Sequence, residues 1–338
     1  MKFIGGWRVR SGVVCAALTF ALEACGGSSG PPVGPTPPGP SLSCPANVQT
    51  AAVQGQPTPV TYDTPIAQNG QAPVTTTCAP ASGSAFPLGD STVTCTATDA
   101  LARSASCSFV VAVTKVPQLS VTRILAFGDS LTSGTTSPDP MTLEVVVPDS
   151  YPYQLKDLLA ARYTDQAIEV INEGCGGEFV AMKNSNCAGG VQRLPGVVEQ
   201  HHPQVVLIMH GANDLRRPSR QISGIVGAIE EMVNDAQRRG AKVMVASLPP
   251  QNPEGSRGDA APRLPEFTRK LAEMADDEGA EFVDLYNIMG TWQGYIGMDG
   301  LHPTRTGYGK IAEIFRDRIQ ERFEKTDETA PTLTFTRR

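Results

Sequence analysis

Residues 123–131 read Arg123-Ile124-Leu125-Ala126-Phe127-Gly128-Asp129-Ser130-Leu131. A short apolar run of strand length ends abruptly in three turn-forming residues, Gly128, Asp129 and Ser130. Four more runs of this kind follow: Ile168–Asn172, Val205–Met209, Lys242–Ala246 and Glu281–Leu285. Amphipathic helices fill intervals between them. Ile222, Ile225, Ile229, Met232, Val233 and Ala236 recur at helical spacing before Gly240, a C-cap. Phe267, Leu271, Met274 and Ala275 do so before Gly279, and Tyr308, Ile311, Ala312, Phe315, Ile319 and Phe323 mark a last helix. Strand-helix alternation over roughly 200 residues predicts an α/β fold, a parallel sheet with helices on both faces. Such sheets bind ligands at the carboxyl ends of their strands.

The residues beyond each strand are therefore the ones to read for chemistry. Gly128-Asp129-Ser130-Leu131 follows the first strand, Glu173-Gly174-Cys175-Gly176-Gly177 the second, and Gly211-Ala212-Asn213-Asp214 the third. Asp299-Gly300-Leu301-His302-Pro303 lies beyond the fifth. Acyl transfer requires a nucleophile, a base, a group that orients the base, and donors for an oxyanion. Ser130 supplies a hydroxyl and His302 can take its proton. Asp299 lies three residues before His302, a spacing that on a helical turn puts both side chains on one side. Gly177 offers a backbone N–H at close approach, Asn213 a side-chain amide, and Ser130 its own N–H. His210, at the end of the third strand, competes with His302 as base, whereas His201 and His202 precede that strand at the wrong edge. Asp129 and Asp214 are expected to hold loops by hydrogen bonds.

In this order the four blocks resemble the SGNH, or GDSL, hydrolase family over residues 122–322. The resemblance implies a flavodoxin-like three-layer sandwich with a five-stranded parallel sheet. It also implies a serine esterase with Ser130, Asp299 and His302 as triad and Ser130, Gly177 and Asn213 as oxyanion hole. The second block departs from the family in its extra glycine and its cysteine, so Gly176 competes with Gly177. Gly89-Asp90-Ser91 also reads Gly-Asp-Ser but lacks the other blocks, and Gly26-Gly27-Ser28-Ser29-Gly30 fits a different hydrolase elbow by chance. No cluster has metal-ligand spacing and no phosphate loop stands out, so no cofactor is expected. Residues 135–150 and 249–263 are long rim loops, and Trp292, Tyr295, Ile296 and Met298 read equally well as pocket or core.

Residues 43–115 alternate with a period of two: Val93, Cys95 and Ala97, then Cys107, Phe109, Val111 and Val113. This predicts a small all-β sandwich. The unit resembles a hyalin-repeat (HYR), immunoglobulin-like module through Cys44-Pro45, Val60-Thr61-Tyr62, Phe86-Pro87-Leu88-Gly89, Val93-Thr94-Cys95-Thr96-Ala97 and Cys107-Ser108-Phe109. Such modules are spacers or adhesion elements.

Lys2, Arg8 and Arg10 followed by an apolar stretch read as an export signal too short to span a bilayer. Leu22-Glu23-Ala24-Cys25 resembles a lipoprotein signal with Cys25 as the lipid-anchored residue, Glu23 departing from that pattern. An ordinary secretory signal is the alternative. Residues 26–42 are a Gly/Ser/Pro-rich linker, and 119–325 form the hydrolase domain before a tail at 326–338. Six cysteines remain outside residues 1–25, an even number that fits disulfides in an exported chain. Two bridges are expected among Cys44, Cys78, Cys95 and Cys107, and one between Cys175 and Cys187, for which free buried thiols are the alternative. A formal charge of −6 gives no reason to expect nucleic acid as a partner. The expected partners are a small acyl ester or O-acylated carbohydrate and, through the anchor, a membrane. Three functions compete: an extracytoplasmic esterase of short-chain esters, a polysaccharide or cell-wall O-acetyl esterase or acyltransferase, and an adhesion scaffold with an inert hydrolase domain.

Overall fold

The structure is a computed structural model that describes residues 34, 36–52 and 56–325. The export signal with Cys25, most of the linker and the tail at 326–338 lie outside the described residues. Among the described residues, no helix is long and apolar enough to cross a membrane.

The N-terminal strands are β1 (Val48–Ala52), β2 (Thr58–Pro59), β3 (Thr75–Ala79), β4 (Ala85–Phe86), β5 (Gly89–Thr98) and β6 (Ser104–Lys115). Four form a sheet in the order β1-β6-β5-β3, and β2 pairs with β4. The period-two pattern works as expected. Val93, Cys95 and Ala97 are buried, while Thr94 and Thr96 meet Ser108 and Ser106 across the strands through hydroxyl hydrogen bonds of 3.1 and 2.9 Å. Cys44 bonds to Cys107 and Cys78 to its cross-strand partner Cys95. A unit of about seventy residues buries a modest core, and such covalent ties supply what the core lacks.

The second group of strands is β7 (Arg123–Gly128), the short pair β8 (Thr135–Thr136) and β9 (Glu144–Val145), then β10 (Glu169–Gly174), β11 (Val205–Met209), β12 (Lys242–Ala246) and β13 (Glu281–Val283). Five make a wholly parallel sheet in the order β10-β7-β11-β12-β13. β7 and β11 are central and buried on both faces, which is why their sequences are unbroken apolar runs.

The helices are α1 (Ser130–Ser133), α2 (Tyr151–Arg162), α3 (Gly190–His201), α4 (Ala212–Leu215), α5 (Ile222–Arg238), α6 (Leu264–Asp277), α7 (Leu285–Met289) and α8 (Arg305–Phe323). α2 packs on α8, and α3, α5 and α6 pack in sequence, giving the three layers. α5, α6 and α8 bury the residues whose spacing announced them. α2 and α3 were not among the helices read from the spacing: α2 shows little one-sided apolar pattern, and Pro195 stands inside α3, whose Leu194, Val197 and Val198 are nevertheless buried. They are held by packing, for example Tyr151 stacked on Phe315 of α8 with ring centroids 5.1 Å apart.

Candidate active site

β7, β10 and β11 end level with one another, Gly128 pairing with both Gly174 and Met209. The first three blocks therefore leave the sheet from a single row. Gly128 is required there: a Cβ would sit 2.1 Å from the Met209 carbonyl oxygen. Asp129 then caps α1, its Oδ1 accepting the Leu131 N–H at 3.0 Å, and Ser130 opens the helix almost fully buried.

His302 meets this serine. The Ser130 hydroxyl lies 2.9 Å from His302 Nε2, and His302 Nδ1 lies 2.6 Å from Asp299 Oδ2. The other carboxylate oxygen, Oδ1, accepts the backbone N–H groups of Leu301 and His302, each at 3.0 Å. Residues 299–302 are thus a side-chain-closed turn and not the helical turn expected from the spacing. α8 begins only at Arg305, after the Thr304 cap. Gly300 makes the turn possible, with φ +85° and a Cβ position 2.5 Å from the Asn252 carbonyl oxygen. Burial works to raise the Asp299 pKa, and the His302 ring with the two backbone donors outweighs it, leaving the carboxyl below its ordinary range. An ionised carboxylate that accepts from Nδ1–H leaves Nε2 free to accept from the serine. General-base activation of a serine needs that order of donors.

Asn213 stands in α4, where its Nδ2 donates to the Glu178 carbonyl at 3.0 Å. One amide hydrogen is thereby held and the other is left for a further acceptor. Gly177 lies in the adjoining turn with φ +77°, its carbonyl accepting from Asn184 Nδ2 at 2.7 Å. Among the described residues, no group in the chain accepts the Gly176 or Gly177 N–H. Cys175 and Cys187 are bonded, so they offer no thiolate to a metal. The bridge closes the loop that carries both glycines.

His210 is not placed to act as base. Its Nδ1 accepts the Gly211 N–H at 2.8 Å and its Nε2 faces Glu178 Oε2 at 3.1 Å. The His201 carbonyl accepts from Arg123 at the start of β7, the opposite edge of the sheet, and the His201 ring Nε2 faces Glu173 Oε1 at 3.0 Å, so it too is engaged away from Ser130. Asp214 accepts the Val180 N–H at 2.9 Å, and both it and Asp129 have pKa values raised by burial. They hold loops, as expected. Ile296 is buried and Met298 exposed. Trp292 lines a cavity of about 570 Å³ with Tyr286, Asn287 and Gln251.

Three positioning contacts had no signal in the sequence. Ser137 Oγ accepts the Asp299 N–H at 3.1 Å, and the buried Tyr308 hydroxyl donates to the Thr135 carbonyl at 2.6 Å. Arg193 reaches Glu178 from α3. Lone serines, tyrosines and arginines are common, and only the fold shows what these touch.

The chain is similar to proteins of known sequence and structure. The chain is 28% identical over 194 residues to an arylesterase of Vibrio mimicus, covering 57% of this chain and 85% of that protein. It is 28% identical over 162 residues to esterase TesA of Pseudomonas aeruginosa, covering 46% and 73%. Its fold matches a lipase/acylhydrolase from Enterococcus faecalis, with a TM-score of 0.50 and 24% identity over 61% of this chain and 99% of the other. It matches the aryl esterase of M. smegmatis equally, with a TM-score of 0.50 and 24% identity over 59% and 99%. The HYR domain model matches residues 36–113. The model of the GDSL-like lipase/acylhydrolase family matches residues 126–310, more than half of the chain, and the protein belongs to that family.

Proposed function

We propose that this carboxylic ester hydrolase acts outside the cytoplasm on short-chain acyl esters, with Ser130 as nucleophile, His302 as general base and Asp299 as its orienter. The observation that carries the reading is the unbroken hydrogen-bond chain from the Ser130 hydroxyl through His302 to the buried Asp299. Ser130 Oγ attacks the ester carbonyl carbon while His302 Nε2 takes its proton, and Asp299 stabilises the imidazolium. The carbonyl π electrons move to oxygen, which meets the free Asn213 amide hydrogen, the Gly177 N–H and the Ser130 N–H. Collapse expels the alcohol, protonated by His302. Water then attacks the acyl-serine, gives its proton to His302, and releases the acid and the Ser130 hydroxyl. The basic, apolar N-terminus ending in Cys25 supports export with a lipid anchor.

A second reading, an O-acylated carbohydrate as substrate, draws on the cavity beyond β12 and β13. Its lining has one of the chain's two tryptophans beside uncharged amides and no ionisable acid or base other than the phenol of Tyr286. Aromatic faces and amides suit a neutral polyhydroxyl ring.

Both readings meet one experiment. The full chain and Ser130→Ala, with folding checked by circular dichroism, are assayed on p-nitrophenyl esters from acetate to palmitate and on a peracetylated disaccharide. Turnover that falls with chain length and vanishes in Ser130→Ala is expected. A well-folded protein that hydrolyses none of these esters sinks the proposal. Trp292→Ala raising KM for the sugar ester alone selects the second reading.

A further inference from the structure

The esterase reading leaves unused a cluster of charges beside the site, in which Arg193 pairs with the buried Glu178 and, at 3.2 Å, with Glu173 Oε2. Glu178 follows Gly177, its side chain fully buried and both its carboxylate oxygens hydrogen-bonded. Arg193 Nε donates to Oε1 at 2.9 Å and Arg193 Nη2 to Oε2 at 2.7 Å, a planar two-point clamp. His210 Nε2 donates to Oε2 at 3.1 Å, and the Gly211 N–H given to Nδ1 fixes that tautomer. The main chain of the same residue does something different, its carbonyl accepting from Asn213 Nδ2.

Arg193 is itself pinned. Its Nη2 also reaches the carbonyls of Glu173, at 2.9 Å, and Gly128, at 3.3 Å, and its guanidinium lies 4.1 Å from the centre of the Phe127 ring. These residues stand at the ends of β10 and β7, and Gly128 is two residues before Ser130. One end of the clamp is therefore the strand that presents the nucleophile, and the other is the loop that presents Gly177. His210 adds the end of β11, which presents Asn213. The carboxylate thus ties together all three strands that deliver the donors.

We propose that Glu178, clamped by Arg193 and His210, is the positioning residue of the oxyanion hole: it fixes the Asn213 amide plane and the Gly176–Gly177 turn relative to Ser130. An amide that gives one hydrogen to a fixed carbonyl has its second hydrogen direction fixed as well, because both lie in one rigid plane. Tilting that plane moves the second hydrogen off the oxyanion without touching the triad. Binding of the uncharged ester, which makes little use of these donors, is unaffected. The burial of the carboxyl works against its ionisation, and Arg193 and His210 outweigh that, so Glu178 has a lowered pKa and keeps its clamp at neutral pH.

The inference rests on the esterase reading, and the test separates the two. The full chain, Glu178→Gln, Asn213→Ala and the double variant are compared on p-nitrophenyl acetate, with active sites titrated by a phosphonate that labels Ser130. Glu178→Gln is expected to lower kcat per titrated site about 10- to 100-fold, with KM within about twofold, the size of effect that a small misplacement of reacting groups produces. Adding Glu178→Gln to Asn213→Ala is expected to cost clearly less than Glu178→Gln costs alone, since the amide it positions is already gone and only the Gly177 N–H is left to displace. A purely structural role predicts the reverse: fewer titratable sites, unchanged kcat per site, and losses that multiply. Either multiplying losses or a Glu178→Gln kcat within twofold of wild type overturns the inference. Should Glu178→Gln not fold, Arg193→Lys, which keeps the charge and loses the fork, takes its place in the cycle. Wild type without Ser130-dependent turnover overturns the esterase reading and this inference with it.

Discussion

Asp299→Asn tests the triad without removing an atom from it. In the native turn Oδ1 accepts two backbone N–H groups and Oδ2 accepts from His302 Nδ1. An asparagine can fill this place in two ways. With its oxygen on the backbone donors, its NH₂ faces Nδ1 and donates to it, so the proton moves to Nε2 and His302 can no longer accept from Ser130. With the amide flipped, the correct tautomer returns, but the NH₂ now confronts the Leu301 and His302 N–H groups. Leaving two buried donors unpaired costs about 1–3 kcal/mol each. At about 1.4 kcal/mol per decade, the useful orientation is then populated between about 1 in 30 and about 1 in 10⁴. Asp299→Asn should therefore lose about 30-fold to 10⁴-fold in kcat, with KM and melting temperature little changed, because the turn keeps both backbone bonds. The assay is p-nitrophenyl acetate hydrolysis beside a thermal melt. A well-folded variant retaining a third or more of wild-type kcat would refute the reasoning, since it would show that His302 does not need Asp299 to hold its tautomer.

Three further outcomes follow from other parts of the molecule. Gly300→Ala places a methyl 2.5 Å from the Asn252 carbonyl oxygen at a φ of +85°, so it should cost about 1–3 kcal/mol of stability and most of the activity, read by melt and kcat; full activity would show that the 299–302 turn can shift freely. Opening the Cys175–Cys187 bridge, whose cysteines are twelve residues apart, should remove up to about 3 kcal/mol of stability and slow catalysis by loosening the loop that carries Gly177. Unchanged kcat in Cys175→Ala/Cys187→Ala would dismiss a role for the bridge in the site. In the β-rich unit, burial works to raise the Asp99 pKa, but the Arg103 side chain and the backbone N–H groups of Gln71, Arg103 and Leu101 hold it at about 2, against an ordinary 3.8. A depressed carboxylate contributes stability that is complete above its unfolded value and lost as pH falls through its folded one. Stability should thus decline from about pH 4 towards 2, and Asp99→Asn should flatten that decline in urea unfolding measured across the same range.

The five strands could be read from the chain because central parallel strands must be apolar on both faces, and β7 and β11 are. The site blocks were equally legible: Gly-Asp-Ser, the glycine block, Gly-Ala-Asn-Asp and Asp-Gly-Leu-His-Pro each sit where a strand or its loop ends, and each residue type has few roles there. α2 and α3 were not legible, since the apolar residues of α2 keep to no single face and Pro195 interrupts α3, and packing on α8 and α5 holds them in place.

What the residues determined by themselves was local: the order of strands and helices, and which side chains could be nucleophile, base and donors. Tertiary structure alone decided which of them meet. It put His302 on Ser130 across 172 positions of chain, and turned His210 away to Glu178. It also closed Asp299 and His302 into a turn that is not helical. The physical reason is range. Periodicity and turn chemistry act over a few residues and are written in order along the chain, whereas hydrogen bonds such as that of Arg193 to Glu178 exist only once packing has brought distant segments within 3 Å.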